Sequence, residues 1–345
     1  MEATTNTVAA AAAPTLPDII AKMTAGNLGE RAMLVQLRMR CWLPPRVDKS
    51  LSLQIAQQHG IDPALVKVDK FLIDPKTPSF AALRTAMGKM RNDHYRLTLP
   101  WAHNGIAILP AALFAQYAET HRQNLHAVEA AAAVFVADFP RLMQLSIAKW
   151  KGLVTAADFP DDIRRLIGIR HDVFPIPQMP DVRINMSEAQ AAALCADMQA
   201  SLNQQVRDAL GASVREPYVR LYDHLTRMVE RLAQSKSNGK ADRFNDSLVD
   251  DLKDMCQMMP ALNICGDPVL ADIANAAAAM VANVTADQLR QGATLRLRVA
   301  TEAAALVARI EPVIAQPEAL TTEGDAVMAA AGAVQATMRG FSMDF

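Results

Sequence analysis

One apolar stripe limits the fold of this chain more than any other feature of its sequence. Between Ala191 and Leu232, apolar side chains recur every three or four residues, with a mean spacing of about 3.7 residues. Such a stripe is one face of a helix, and that face must be buried. The pattern therefore predicts a long helix over residues 187–234, which Gly211 and Pro217 kink or divide into a helix pair.

A second stripe runs from Leu113 to Phe139 and predicts another long amphipathic helix. We expect this helix to end near Pro140, because proline is favoured in the first turn of the helix that follows. Helices gain most of their stability by burying such faces, so we also expect the two long helices to pack on each other. Alanine, the best helix former, supplies 62 of the 345 residues and favours further helices near the C-terminus.

Short strand signals lie among the helices of the N-terminal third. The segment from Ala32 to Trp42 alternates in the manner of a half-buried strand, and Val66–Ile73, Ile106–Leu109 and Asp181–Asn185 are further candidates. The fold class that follows is α+β and predominantly α, with a small N-terminal sheet, long packed helices and an Ala-rich helical C-terminal part. We expect five segments: a disordered N-terminus (1–16), a mixed α+β domain (17–186), the long helix (187–234), a linker (235–243) and the Ala-rich helical region (244–345).

Charge and motifs argue against several classes of protein. The chain carries 35 basic and 36 acidic residues, a balance that argues against a protein that coats nucleic acid. It has no phosphate loop, no Gly-x-Ser-x-Gly elbow and no His-Glu-x-x-His helix, and its cysteines lack Cys-x-x-Cys spacing. No stretch approaches about 20 apolar residues, and the N-terminus lacks the basic residues of a signal peptide. We therefore expect a non-enzymatic cytoplasmic protein with no metal, no cofactor and no membrane segment.

The histidines and carboxylates form no recognisable catalytic motif. His121 falls on the second stripe, where a core histidine with one satisfied ring nitrogen is expected. His171 lies in a proline-bounded stretch, which favours a loop and a surface contact. Asp250, Asp251 and Asp254 fit the solvated face of a helix. A hydrolase would need carboxylates assembled from distant segments, and it is the least favoured class.

A basic cluster gives the alternative function. Arg38, Arg40 and Arg46 flank Trp42, and Arg38 and Arg40 share one face of the predicted strand. Arginines around an aromatic ring are the composition of a platform that stacks single-stranded bases and contacts phosphates. The same arginines also suit the polar face of an amphipathic strand, which the neutral net charge favours. Nucleic-acid binding is therefore the second hypothesis and not the first.

The turn-rich tract from Thr98 to Gly105 offers candidate residues for a protein contact. It holds Trp101 and His103, and Arg91 and Tyr95 lie on the predicted helix before it. Trp, Tyr and Arg are enriched in binding hot spots, so these four residues are the candidate interaction residues. The alternative is that Trp101 and Tyr95 only fill the junction of the sheet and the long helix.

A series of short motifs, in a fixed order, resembles a known family. The motifs are KVDKFLI (Lys67–Ile73), RNDHY (Arg91–Tyr95), TLPW (Thr98–Trp101), GIAILP (Gly105–Pro110), Phe139–Pro140, Gly152–Leu153, DFP (Asp158–Pro160) and FPIP (Phe174–Pro177). This succession is similar to a family of uncharacterised proteins of tailed phages and prophages, a domain of unknown function, over about residues 30–235. The chain departs from the family at Phe159, where Tyr is commoner, and at Ala107, where a basic residue is frequent.

The resemblance implies partners and a location. Members of the family are often encoded beside a MoxR/cobaltochelatase-type AAA+ ATPase and a von Willebrand factor A-type protein. This implies an accessory or adaptor of an ATP-driven remodelling machine, in the host cytoplasm if the gene is phage-encoded. The ATPase would then supply the phosphate loop that this chain lacks.

Overall fold

The structure is a computed structural model that describes residues 20, 23, 28–101, 105–176, 188–233 and 247–315, with only the backbone described for 188–194. The strands are β1 (Ala32–Arg40), β2 (Pro45–Val47), β3 (Asp69–Phe71), β4 (Leu99–Pro100), β5 (Ile106–Pro110) and β6 (Gly168–Phe174). The helices are α1 (Lys49–His59), α2 (Pro78–Leu97), α3 (Phe114–Trp150), α4 (Glu188–Ala233), α5 (Ser247–Leu262), α6 (Pro268–Val281), α7 (Ala286–Gln291) and α8 (Ala293–Ile314).

Helices predominate, and four of the strands form one small antiparallel sheet in the order β4–β5–β1–β6. The predicted α+β, predominantly α fold class is therefore confirmed. Strands β2 and β3 form a separate antiparallel ribbon. The predicted segment 1–16, the strand candidate at 181–185, the domain boundary near 186 and the linker 235–243 lie outside the described residues.

Contacts divide the chain into two units. The central unit comprises Val35–Leu97 and Phe114–Val173, and the terminal unit comprises Met1–Leu34, Thr98–Leu113 and Phe174–Phe345. Each long helix therefore has a unit of its own, α3 in the central unit and α4 in the terminal unit. The division falls within the segment 17–186 that the sequence groups as one mixed domain.

The core of the central unit forms where α2 packs on α3. On α2, Phe80, Leu83, Met87 and Met90 are buried at helical spacing, as the sequence pattern predicts. On α3, the buried positions that complete the core include Val128, Phe135, Phe139 and Leu142. The apolar stripe of each helix is thus covered by the other.

Pro140 lies inside α3 instead of opening a new helix, so the predicted break there is wrong. A proline inside a helix removes one backbone hydrogen bond and costs about 3 kcal/mol. The pyrrolidine ring of Pro140 is exposed, while Phe139 and Leu142 on either side of it are buried. Burying these two side chains offsets the cost of the proline, and the helix continues to Trp150.

The core of the terminal unit is built on α4, which packs against α8 and α5. Leu210, Leu221 and Leu225 of α4 are fully buried, as the spacing predicts. The Tyr218 hydroxyl donates to Asp267 Oδ2 at 2.5 Å, and both side chains are buried. Asp267 also caps α6, because its other carboxylate oxygen accepts the first free N–H groups of that helix.

The two long helices pack on other helices and not on each other as predicted. The stripe of α3 packs on α2, and the stripe of α4 packs on α8, each within its own unit. Apolar periodicity shows that a helix face is buried, but it carries no information about which partner buries it. The prediction that α3 and α4 cover each other is therefore corrected.

Strands β2, β4 and β6 are absent from the strands that the sequence predicts, and β6 is the longest of the three. Its sequence, GIRHDVF, shows no strict alternation, and its side chains are only half-buried or exposed. The prolines beyond its end, Pro175 and Pro177, are typical of a loop. His171 was accordingly predicted to lie in a loop, and the structure places it on β6 instead.

Truncating Phe135 to Ala is expected to lower the free energy of unfolding by about 3–5 kcal/mol, because its fully buried ring leaves a cavity. The neighbouring Val134 is 60% exposed on the same helix, and Val134→Ala is expected to change stability by less than about 0.5 kcal/mol. Urea unfolding of the two variants and the parent chain measures both effects. Equal midpoints for the two variants would contradict the assignment of the buried face of α3.

Candidate functional site

Trp42 is a core side chain and not a platform for nucleic-acid bases. Its ring is only 5% exposed, with centroids 5.5–6.5 Å from those of Phe80, Phe135 and Phe139. A base cannot stack on a ring enclosed in this way, so the predicted contact role of Trp42 is wrong. The chain has few aromatic residues, and the core of the central unit uses this one.

The three arginines predicted to act with Trp42 are on the surface. Arg38, Arg40 and Arg46 are exposed. Arg38 donates to Gln36 Oε1 at 2.6 Å, and the guanidinium of Arg40 donates to the backbone carbonyl of Arg165. The structure therefore retains the cations of the predicted nucleic-acid site but separates them from its aromatic ring.

The four candidate interaction residues fall into different surroundings. Arg91 and Tyr95 are exposed one turn apart on α2, so Tyr95 does not fill a junction in the core. Trp101 is half-buried after β4, and its backbone N–H donates to the Ile106 carbonyl at 3.3 Å. His103 lies outside the described residues.

Three histidines and a tyrosine meet in the central unit, a constellation that we call the Tyr117 cluster. His94 comes from α2, Tyr117 and His121 lie one turn apart on α3, and His171 comes from β6. The Tyr117 hydroxyl lies 2.8 Å from His94 Nδ1 and 3.0 Å from His171 Nε2. The His121 and His171 rings are tilted against each other with centroids 4.3 Å apart. The hydroxyl thus links the two helices to the strand.

The histidines of the Tyr117 cluster are held in the neutral form. Burial, together with the neighbouring His171 and His121, lowers the pKa of His94 to about 4. Burial also lowers the pKa of His121 and of His171, and Asp172 opposes this effect at His171. Burial raises the pKa of Tyr117, so its hydroxyl stays protonated. At neutral pH the cluster is a network of neutral rings around one O–H.

A polar network borders the Tyr117 cluster on the helix side. Asp93 accepts from Lys89 Nζ at 2.6 Å and from Asn124 Nδ2 at 2.8 Å, and the Arg96 guanidinium lies 3.7 Å away. These hydrogen bonds and cations hold the pKa of Asp93 below its usual value, against the effect of burial. The Asp93 carboxylate is therefore ionised and paired with these cations.

The depression over the Tyr117 cluster is too small for a substrate. Its walls include Asp93, His94, Tyr117, His121 and Asn124, and its interior leaves room for roughly one water molecule. Among the described residues, no group of three or more His, Cys, Asp or Glu side chains is arranged to hold a metal ion. The geometry suits a structural fastening better than a reaction centre.

The ribbon of β2 and β3 carries an exposed, largely apolar surface of Leu43, Pro45, Val47 and Phe71, with Asp69 beside them, which we call the ribbon face. Pro45 lies opposite Phe71 and Val47 opposite Asp69, so these side chains share one side of the ribbon. Val47 and Phe71 are 48% and 46% exposed, and Leu43, just before β2, is 67% exposed. Adjacent apolar side chains exposed in this number mark an interaction site more often than scattered ones do.

The ribbon face is firmly supported from behind. Lys70, on the other side of β3, pairs with Asp48 at 3.6 Å and with Asp158 at 3.0 Å. At the outer edge of β3, Trp150 Nε1 donates to the Phe71 carbonyl at 3.1 Å. The exposed side chains are therefore presented by an ordered backbone, which reduces the entropy lost on binding.

The terminal unit has an open groove of about 540 Å³ between α6, α7 and α8. It is lined by Ala279, Met280, Asn283, Val284, Gln288, Gln291, Gly292, Leu295 and Arg298. These side chains include amides and apolar groups but no nucleophile and no carboxylate, and Arg298 lies 3.9 Å from Glu302. The groove could hold a ligand, but its lining offers no acid or base for a reaction.

Helix α3, with the turn before it, is long and apolar enough to cross a membrane. The core helix of a soluble protein passes the same test of length and composition. The helix also carries Asp138, which accepts from Ser79 and Arg141, and a carboxylate is costly within hydrocarbon. Cytoplasmic location without a membrane segment stays a prediction.

No family model, no curated protein and no solved structure matches this chain. The resemblance to the phage and prophage family therefore stays a prediction. The Tyr117 cluster could not be found from the sequence, because His94, Tyr117 and His171 are far apart along the chain and β6 was not predicted. The one available signal was Tyr117 and His121 at i and i+4 on an apolar stripe.

Replacing Tyr117 with Phe is expected to lower the free energy of unfolding by about 1–3 kcal/mol, because it leaves the facing nitrogens of His94 and His171 without their shared partner. Tyr95→Phe removes the hydroxyl of an exposed ring on α2, and its effect is expected to stay within about 0.5 kcal/mol. Denaturant unfolding at pH 7.5 or so compares the two variants. A cost as small for Tyr117→Phe as for Tyr95→Phe would contradict the bridging role of the hydroxyl.

Proposed function

We propose that this protein is a non-enzymatic phage or prophage accessory that acts through protein–protein contacts. Its partner is a MoxR-type AAA+ ATPase, with a von Willebrand factor A-type protein as a further component, in the host cytoplasm. The ribbon face is the observation that supports this proposal, because it offers adjacent exposed apolar side chains on a braced backbone. The identity of the partners rests on the family resemblance.

The chemistry of the other candidate sites supports binding over catalysis. The Tyr117 cluster has no room for a substrate beside its histidines. The groove of the terminal unit has room but lacks an acid, a base and a nucleophile in its lining. Nucleic-acid binding is not proposed, because the burial of Trp42 removes the aromatic part of that hypothesis.

A binding experiment with the two expected partners tests the proposal. The chain is co-expressed with the AAA+ ATPase and the von Willebrand factor A-type protein of the same genome, and affinities are measured on the purified proteins. Leu43→Asp and Phe71→Asp each place a charge where the contact would exclude water. Each is expected to weaken binding to the ATPase by about tenfold or more, equivalent to about 1.4 kcal/mol.

Leu297→Asp is the matched control, because Leu297 is 70% exposed on α8 of the terminal unit. It is expected to bind the ATPase within about twofold of the parent chain, which is less than about 0.5 kcal/mol. Melting curves verify that all three variants fold. Absence of binding by the parent chain would overturn the adaptor proposal, and equal binding by all variants would overturn the assignment to the ribbon face.

A further inference from the structure

The Tyr117 hydroxyl has one proton and lies between two ring nitrogens. It can donate to only one of His94 Nδ1 and His171 Nε2, so the other nitrogen must carry a hydrogen and donate to the hydroxyl oxygen. One ring therefore presents a lone pair to the hydroxyl and the other an N–H. Both hydrogen bonds form only while the ring nitrogen that accepts from the Tyr117 O–H stays unprotonated.

Acid removes this arrangement. A proton added to the accepting ring takes away the acceptor of the Tyr117 O–H. Where His171 is the accepting ring, a second proton on His121 places a like charge beside it, because the two ring centroids are only 4.3 Å apart. Both effects oppose the packed arrangement of α2, α3 and β6 around the hydroxyl.

The charged groups around the Tyr117 cluster are paired with one another. On α2, Asp93 is paired with Lys89 and Arg96. On β6, Asp172 is paired with Arg170 at 2.9 Å, and on α3, Glu119 is paired with Arg122 at 2.7 Å. Each neighbouring carboxylate thus already has a cation, so none is left in these pairs to compensate fully for new charge on the rings.

Strand β6 is held less firmly than α2 and α3. Helices α2 and α3 are fastened to each other by the buried aromatic and aliphatic side chains of the central core. Strand β6 lies at the edge of its sheet, and its side chains are only half-buried or exposed. Segments with few buried apolar contacts open locally at lower free energy than the core does.

We propose that the Tyr117 cluster is an acid-sensitive latch that holds β6 against α2 and α3 and releases it when the histidines take up protons. The lowered pKa values of the three histidines fix the sign: the latch is fully closed above pH 6.5 or so and opens as the pH falls. Release of β6 leaves an edge of β1 open to another strand.

Hydrogen–deuterium exchange of the full chain at pH 7.0 and 5.0 tests the latch. After correction for intrinsic exchange, the protection of residues 168–174 is expected to fall on the order of tenfold at the lower pH, because an opened histidine near pH 6.5 takes up a proton. Peptides from the core stretches of α2 and α3, residues 83–90 and 128–139, are expected to keep their protection. Equal loss of protection across the central unit would show general acid unfolding and overturn the proposal.

Variants separate the latch from other effects of acid. His121→Gln combined with His171→Gln removes two titrating rings and is expected to reduce the pH effect on residues 168–174 to less than about threefold. His126→Gln, an exposed histidine on the same helix, is expected to leave the parent pH effect unchanged. Tyr117→Phe, which keeps the ring but not the hydroxyl, is expected to expose residues 168–174 already at pH 7.0.

If the double variant does not fold, the pH dependence of exchange in the parent chain tests the latch by itself. Protection of residues 168–174 that is the same at pH 7.0 and 5.0 in the parent chain would overturn the latch. A pH effect that persists unchanged in a folded double variant would also overturn it.

Discussion

The packing of α2 on α3 is the interaction on which the rest of the central unit depends. Trp42, Phe80, Phe135 and Phe139 form its centre, with ring centroids 5.2–6.5 Å apart. Aromatic pairs at such distances contribute beyond their buried area. Because this core fixes two helices over most of their length, it also fixes the position of the polar side chains further along them, including His94 and Tyr117. The apolar core therefore positions the side chains of the Tyr117 cluster, whose own contacts do not have to hold the two helices together.

Each unit buries a tyrosine hydroxyl, Tyr218 in the terminal unit and Tyr117 in the central unit, and the two hydroxyls have chemically different hydrogen-bond partners. In the terminal unit, the buried Tyr218 hydroxyl donates to Asp267, whose negative charge is also stabilised by backbone N–H groups of α6. In the central unit, Tyr117 meets neutral imidazoles instead. Burial together with the Asp267 carboxylate raises the pKa of Tyr218, and burial alone raises that of Tyr117. The difference matters in acid, because the imidazoles around Tyr117 can take up protons and then no longer accept its O–H.

Apolar periodicity predicted most helices of this fold, and the reason is physical. A stripe that must be buried determines the helix and its inner face, as it does for α2 and α4. It does not determine which helix packs on that face, which is why the predicted packing of α3 on α4 is wrong. It also does not show whether side-chain burial outweighs the cost of a proline, which is why the predicted helix end at Pro140 is wrong. Strand β6 was not predicted, because an edge strand with half-exposed side chains needs no strict alternation of apolar and polar residues. The predicted role of Trp42 was wrong because arginines around an aromatic residue form the same sequence motif whether the ring is exposed or buried in the core.

The central unit combines a surface that suits a partner with a buried network that responds to protons. The ribbon face and the Tyr117 cluster use separate residues, and they lie on separate elements, β2 and β3 in one case and α2, α3 and β6 in the other. A charge placed at Phe71 therefore tests binding without touching the histidines, and a change at Tyr117 tests the network without touching the ribbon. Since both sites belong to one compact unit, an effect of pH on partner binding that the parent chain shows and the Tyr117→Phe variant lacks would reveal energetic coupling between them. Coupling requires a change in the unit that both sites sense, and the opening of β6 is the change that the structure makes available.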